Sequence, residues 1–125
     1  LSDSFEELIV SVSNDLGFAL ASLLEGINKR KLDKIQEASD KLIGISSKYG
    51  GRLKAEKHSI LSFTLRDAGI ELWARAEQIA SRNYLDDDSR YFKEIYDSLN
   101  EIKASMDSGE YKAELDKLRK AKLRM

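Results

Sequence analysis

The chain has 125 residues, 42% of them hydrophobic and 34% charged, with a formal net charge of −1 and neither cysteine nor proline. That length argues for one domain with a core of its own. Without cysteine there is no disulfide framework and no thiolate metal site, and the near-neutral total excludes the large basic excess of a DNA-coating protein. The strand formers Val and Thr are almost absent (Val10, Val12 and Thr64). With no proline to interrupt them, the segments should be nearly all helix. No run approaches the ~18 uncharged apolar residues of a membrane span, and no signal-peptide pattern is present. The expectation is a cytoplasmic protein without a membrane partner. Charge is uneven along the chain: residues 1–28 carry five acids and no base, whereas Lys117, Arg119, Lys120, Lys122 and Arg124 form a basic run near the end.

The first predicted helix runs from Phe5 to Ile27. Ser4 with Glu7 three residues on has the form of a capping box, and Asp3, Glu6 and Glu7 suit the positive end of a helix dipole. Leu8, Val12, Leu16, Ala19, Leu23 and Ile27 make one apolar stripe at helical spacing. Phe5, Ile9, Leu20 and Leu24 widen it, so more than one face should be buried. A second helix, Leu32 to Tyr49, sets Leu32, Ile35, Leu42 and Tyr49 on one seam, and Gly50-Gly51 is expected to stop it. The third, Leu53 to Arg82, has Ile60, Leu61, Leu65, Ala68, Leu72, Ala76 and Ile79 as its core face. Gly69 inside it marks a close-packing point or a slight kink.

After "NYLDDDS", with Asp87 or Asp88 as N-cap, a fourth helix carries Phe92, Ile95, Leu99, Ile102 and Met106. Their spacing of three, four, three, four is that of a coiled-coil seam, which makes these five the candidate interface. "DSG" at 107–109 ends it, and a short basic helix or tail over about 110–125 carries Tyr111, Leu115, Leu118 and Leu123. The fold expected is an all-α, single-domain bundle of about five helices over residues 1–125.

Candidate chemistry centres on His58, the one histidine. Arg52 and His58 are spaced R-x5-H, a pattern that suits phosphodiester cleavage: arginine holds a phosphate bidentately and histidine transfers protons near neutral pH. Chance also supplies such spacings in a chain rich in basic residues. His58 as a phosphoryl acceptor fits less well, because Ile60, Leu61 and Phe63 follow where small residues would keep the ring nitrogen open. No E-x-x-H pair, zinc ligand set or calcium-loop spacing is present, so neither metal nor cofactor is implied. Asp86-Asp87-Asp88 reads as a capping cluster. No phosphate-binding glycine loop occurs either. The basic run Lys117, Arg119, Lys120, Lys122 and Arg124 could bind RNA, an acidic partner or a membrane surface, although it equally suits the negative end of a helix.

Several segments resemble a known family. "LLEGINKRKLDKIQEASDKLIGISSKYGG", "KHSIL", "GIELWARAEQIASRNY" and "YFKEIYDSLNEI" are similar to the archaeal repeat-family branch of the HEPN superfamily, through Gln36, Ala38, Ser39, Lys41, His58, Leu61, Ala76, Asn83 and Tyr84. The resemblance covers about residues 20–103. It implies a small helical bundle, commonly dimeric. Some members are metal-independent ribonucleases, some accompany nucleotidyltransferases or bind nucleotides, and many have no assigned activity. It would place ribonuclease roles on Arg52 and His58 alone. Active members carry a polar residue after the arginine, where this chain has Leu53. The reading carried forward is a non-catalytic association or binding module that forms a homodimer. Its rival is a ribonuclease or a nucleotide-binding partner protein.

Overall fold

The computed structural model describes residues 2–110 and shows a single all-α bundle of four helices: α1 (Ser2–Lys29), α2 (Leu32–Ala55), α3 (Ser59–Ala80) and α4 (Asp86–Ser108). The basic segment expected as a fifth helix, with Lys117, Arg119, Lys120, Lys122 and Arg124, lies outside the described residues. No strand occurs among the described residues.

The cross-helix contacts set the topology. Tyr49 of α2 bonds Asp15 of α1, Ser39 of α2 bonds Gly69 of α3, and Ser13 of α1 meets Asp107 of α4. A second contact in each pair, Gly26 by Ile35, Ser46 by Ser62 and Gly17 by Lys103, moves in opposite directions along the two helices, so α1 and α2, α2 and α3, and α1 and α4 run antiparallel. α1 packs on both α2 and α4, and α2 packs on both α1 and α3, while α3 and α4 have little contact. This position explains why α1 is apolar on two faces. Leu8, Val12, Leu16 and Leu23 are fully buried, and Phe5, Ile9 and Leu20 close the flanks. By length and composition Ser4–Lys29 is long and apolar enough to cross a membrane, contrary to the expectation from the sequence. In the fold its apolar residues join the common core, as in a soluble protein's central helix.

Two boundaries differ from the expected ones. α2 does not stop at Gly50-Gly51 but continues to Ala55. Its continuation is held by burial of Tyr49 and Leu53 on either side of the pair, and tertiary packing outweighs glycine's poor helix propensity. A Cβ at Gly50 would sit 3.2 Å from the Ser62 hydroxyl, so the residue serves the contact with α3. The stop comes at Lys57, whose φ of 63° is left-handed. Its N–H bonds the Lys54 carbonyl and the His58 N–H bonds the Leu53 carbonyl at 2.7 Å. That reciprocal pair is a Schellman motif built without glycine. Arg30 ends α1 in the same way, with φ 51° and a Lys31 N–H to Gly26 carbonyl bond of 3.0 Å.

The start of α4 also shifts. Leu85, not Asp87 or Asp88, is the N-cap, and Asp88 stands at the third helical position, its carboxylate accepting the Leu85 N–H at 2.8 Å. This is the reaching-back half of a capping box. α1 begins at Ser2, so Ser4 lies inside the helix instead of capping it.

Candidate functional site

His58 lies where α2 hands over to α3. It is the residue after the left-handed Lys57 and also the N-cap of α3. Only 5% of it is exposed, and its ring packs on that of Phe5 with centroids 4.6 Å apart and a 31° tilt. The Schellman motif commonly places an apolar side chain at this position against the helix it ends. Here the imidazole takes that place, packed against the ring of Phe5. Arg52, in the last turn of α2, is exposed. One member of the R-x5-H pair therefore faces water, and the other is packed in the core against the first turns of α1.

The aspartate run has three separate electrostatic roles. Asp86 pairs the start of α4 with Arg30 at the α1–α2 corner, and Asp87 pairs with Arg90 within the first turns of α4. Asp88 is fully buried. Arg82 grips it bidentately with both contacts at 2.8 Å, and Arg75 Nε adds a third at 2.8 Å. The Arg82 hydrogen bonds lead in holding the Asp88 carboxyl far below the usual carboxylate range. Burial opposes them, and the Leu85 N–H and Arg75 reinforce them. The Arg75 guanidinium also lies 4.6 Å from the centroid of the Tyr91 ring. This network fastens α3 to α4 at one end. Among the described residues no group of three metal-ligating side chains occurs.

A second polar knot ties α1 to α4. Lys103 Nζ donates to Ser13 Oγ at 3.1 Å and to Asp107 Oδ2 at 2.8 Å, and the Ser13 hydroxyl also meets Asp107. The lysine and serine together hold the Asp107 carboxyl below its ordinary value. A serine beside a lysine could suggest nucleophilic chemistry. That would require a neutral amine as base, and this amine is already ion-paired. The knot is a structural tie.

The five residues of the helix-4 seam divide. Phe92, Leu99 and Met106 are buried within the chain, whereas Ile95 and Ile102 are partly exposed. Ile95, Leu99 and Ile102 line an open groove of about 450 Å³ between α3 and α4. The three buried residues are committed to the core, so only the other two could meet another molecule without repacking.

The largest exposed apolar side chains lie elsewhere. Phe63, Ile70 and Trp73 are 52%, 41% and 50% exposed on α3. At 3.6 residues per turn the three directions fall within roughly 80° of one another over about 15 Å of helix. They form a stripe on the face opposite Leu61, Leu65, Leu72 and Ile79. The stripe is easily missed in the sequence because the core stripe accounts for α3 by itself. Its signal is a second apolar ridge, Phe63 to Ile70 to Trp73, out of phase with the first. Val10 and Phe18 on α1 and Leu85 are exposed as well, but do not share this face.

Comparisons of the chain with family models, with curated proteins and with solved structures give no match.

Proposed function

We propose that this chain is a non-catalytic helical association module, HEPN-like in its motifs, that pairs with a second copy through the outer face of α3. The observation that carries this reading is the Phe63–Ile70–Trp73 stripe. Two aromatics and an isoleucine exposed on one helical face cost free energy in water, and they are the residue types that anchor protein interfaces. A helix face meeting its own copy about a two-fold axis buries the same patch on both sides, which is the commonest way to close a homo-oligomer. The burial of His58 against Phe5 supports a structural role for the imidazole over proton transfer, because a general base must reach its substrate's proton within hydrogen-bond distance.

Light scattering behind size exclusion tests the proposal. The wild-type chain should run at twice its 14.2 kDa mass. The Phe63→Glu/Trp73→Glu variant should run at the single-chain mass with unchanged helical circular dichroism. A monomeric wild type, or a variant that stays dimeric, would overturn it.

A further inference from the structure

α3 packs on α2 and α4 packs on α1, and between themselves α3 and α4 leave an open groove. The Arg75–Asp88–Tyr91 clasp fastens one end of it. From Tyr91 to Ile102 the groove follows α4 for roughly 16 Å, the length of about three helical turns.

The floor is apolar and the rim acidic. Ala68, Ile95 and Ile102 are partly exposed there, beside buried Leu99. Asp67 and Glu71 stand on the α3 side and Glu94 on the α4 side, all of them exposed. Among the described residues none of these carboxylates is ion-paired with a basic side chain. Arg75 on α3 and Lys93 on α4 pair instead with Asp88 and Asp97. Burial, and after it the charge of Glu71, push the Tyr91 hydroxyl above its ordinary value, so Glu71 of one rim reaches the α4 side of the gap.

These features define the occupant. A phosphate backbone or an anionic lipid surface would meet like charge on both rims. No group of three metal-ligating side chains occurs among the described residues, so a bare cation has no cage. A basic group alone would leave the isoleucines wet. A helix with a narrow apolar stripe flanked by lysine or arginine satisfies floor and rim together. Ile95 and Ile102, two turns apart, suit anchors at i, i+3 or i+4, and i+7 on such a helix.

We propose that the α3–α4 groove is a docking site for a basic amphipathic helix of a partner protein. Its apolar stripe lies on Ala68, Ile95 and Ile102, and its cations meet Asp67, Glu71 and Glu94. Apolar burial supplies the affinity, and a charge match that salt weakens selects the partner. The site is separate from the outer α3 stripe and does not depend on self-association.

The probe is a synthetic, dye-labelled leucine–lysine helix of about fifteen residues with its leucines in one narrow stripe. Fluorescence anisotropy with the full chain should show saturable binding at a single site. Glu71→Lys/Glu94→Lys, both at exposed positions, should keep the wild-type circular dichroism and weaken binding at least about tenfold. The matching leucine–glutamate peptide should do the reverse, binding the substituted chain and not the wild type. Phe63→Glu/Trp73→Glu should leave the leucine–lysine affinity unchanged, so this reading and the α3 stripe can fail separately. Absence of saturable binding, equal affinity for the wild-type and charge-reversed grooves, or loss of binding in the α3 stripe variant would each overturn the proposal. Displacement by spermine, which has charge without an apolar face, would assign the groove to a polyamine and overturn it too. So would a wild-type dimer that Glu71→Lys/Glu94→Lys dissociates, since a second copy would then sit there.

Discussion

α3 has two neighbours and treats them differently. Against α2 it is closed by small residues. Ser62, Gly69 and Ala76 recur every seven positions on α3 and are buried, and Ser39 and Ser46 keep the same period on α2. The Ser39 hydroxyl reaches the Gly69 carbonyl at 2.6 Å and the Ser46 and Ser62 hydroxyls meet at 2.8 Å. The helix backbones approach so closely that a Cβ at Gly69 would lie 3.0 Å from the Ser39 carbonyl oxygen and 2.9 Å from Ile43 Cγ1. Against α4 the facing side chains are Tyr91, Ile95 and three carboxylates, and the helices stand apart over a groove. Side-chain size and charge along each seam thus decide which gap fills. The Asp88 clasp holds α3 to α4 only at the corner.

The seam on α4 offers the sharpest test of that division. Phe92→Ala removes a ring that is fully buried, and should cost about 3–5 kcal/mol in urea denaturation. Ile95→Ala, three residues along on the groove, should cost under about 1.5 kcal/mol because the site is already open to water. Equal losses would mean the groove is packed as tightly as the core. Next in size, Gly69→Val should destabilise by about 1–3 kcal/mol. Valine's Cβ has nowhere to go but into backbone, and the thermal midpoint should fall with it. Gly51→Val, where nothing lies within 4 Å, should show no such overpacking penalty.

How much of this could be read from the sequence follows the same physics. The core of α1 and α4 was legible because apolar residues at three-and-four spacing have few alternatives to burial. Gly69 was legible only as a close-packing point or a kink, and the approach of the α2 backbone decides for the first. The end of α2 was not legible. A glycine pair is a good stop only where the following residues can leave the helix, and here Leu53 must remain to fill the core. The actual stop, Lys57, gives no local signal, since lysine seldom takes positive φ. The place of His58 was hidden for a related reason. Its burial is set by Phe5, more than fifty positions away, and not by its neighbours. Whether Ile95 belonged to core or surface depended on the separation of α3 from α4, which no periodicity within α4 records.

Asp88 helps to fasten α3 to α4 at their corner, and its pH dependence follows from its partners. The arginines hold the folded carboxyl far below its unfolded value, so the folded state gains stability from the charged form. That gain is complete above the ordinary carboxylate pKa of about 4 and is lost as pH falls below it. Asp88→Asn should therefore destabilise near neutral pH. Breaking a buried pair costs roughly 3–5 kcal/mol in general. With Arg75 and Arg82 themselves partly exposed, about 1–3 kcal/mol is expected. The gap between wild type and variant should narrow steadily from about pH 4 downward. A gap that is constant with pH would mean that Asp88 is held by shape and not by charge.

The smallest expected effect concerns the groove rim. Asp67, Glu71 and Glu94 place like charge on both sides of the gap, and like charges across a surface groove repel weakly in water. Glu94→Lys would replace one repulsion with an attraction across the groove, and should raise stability by a few tenths of a kcal/mol up to about 1 kcal/mol at low salt. The gain should fade at high ionic strength, where the Debye length drops to about 3 Å in 1 M salt. A gain that persists unchanged in about 1 M salt would mean that packing, and not charge across the gap, sets the effect.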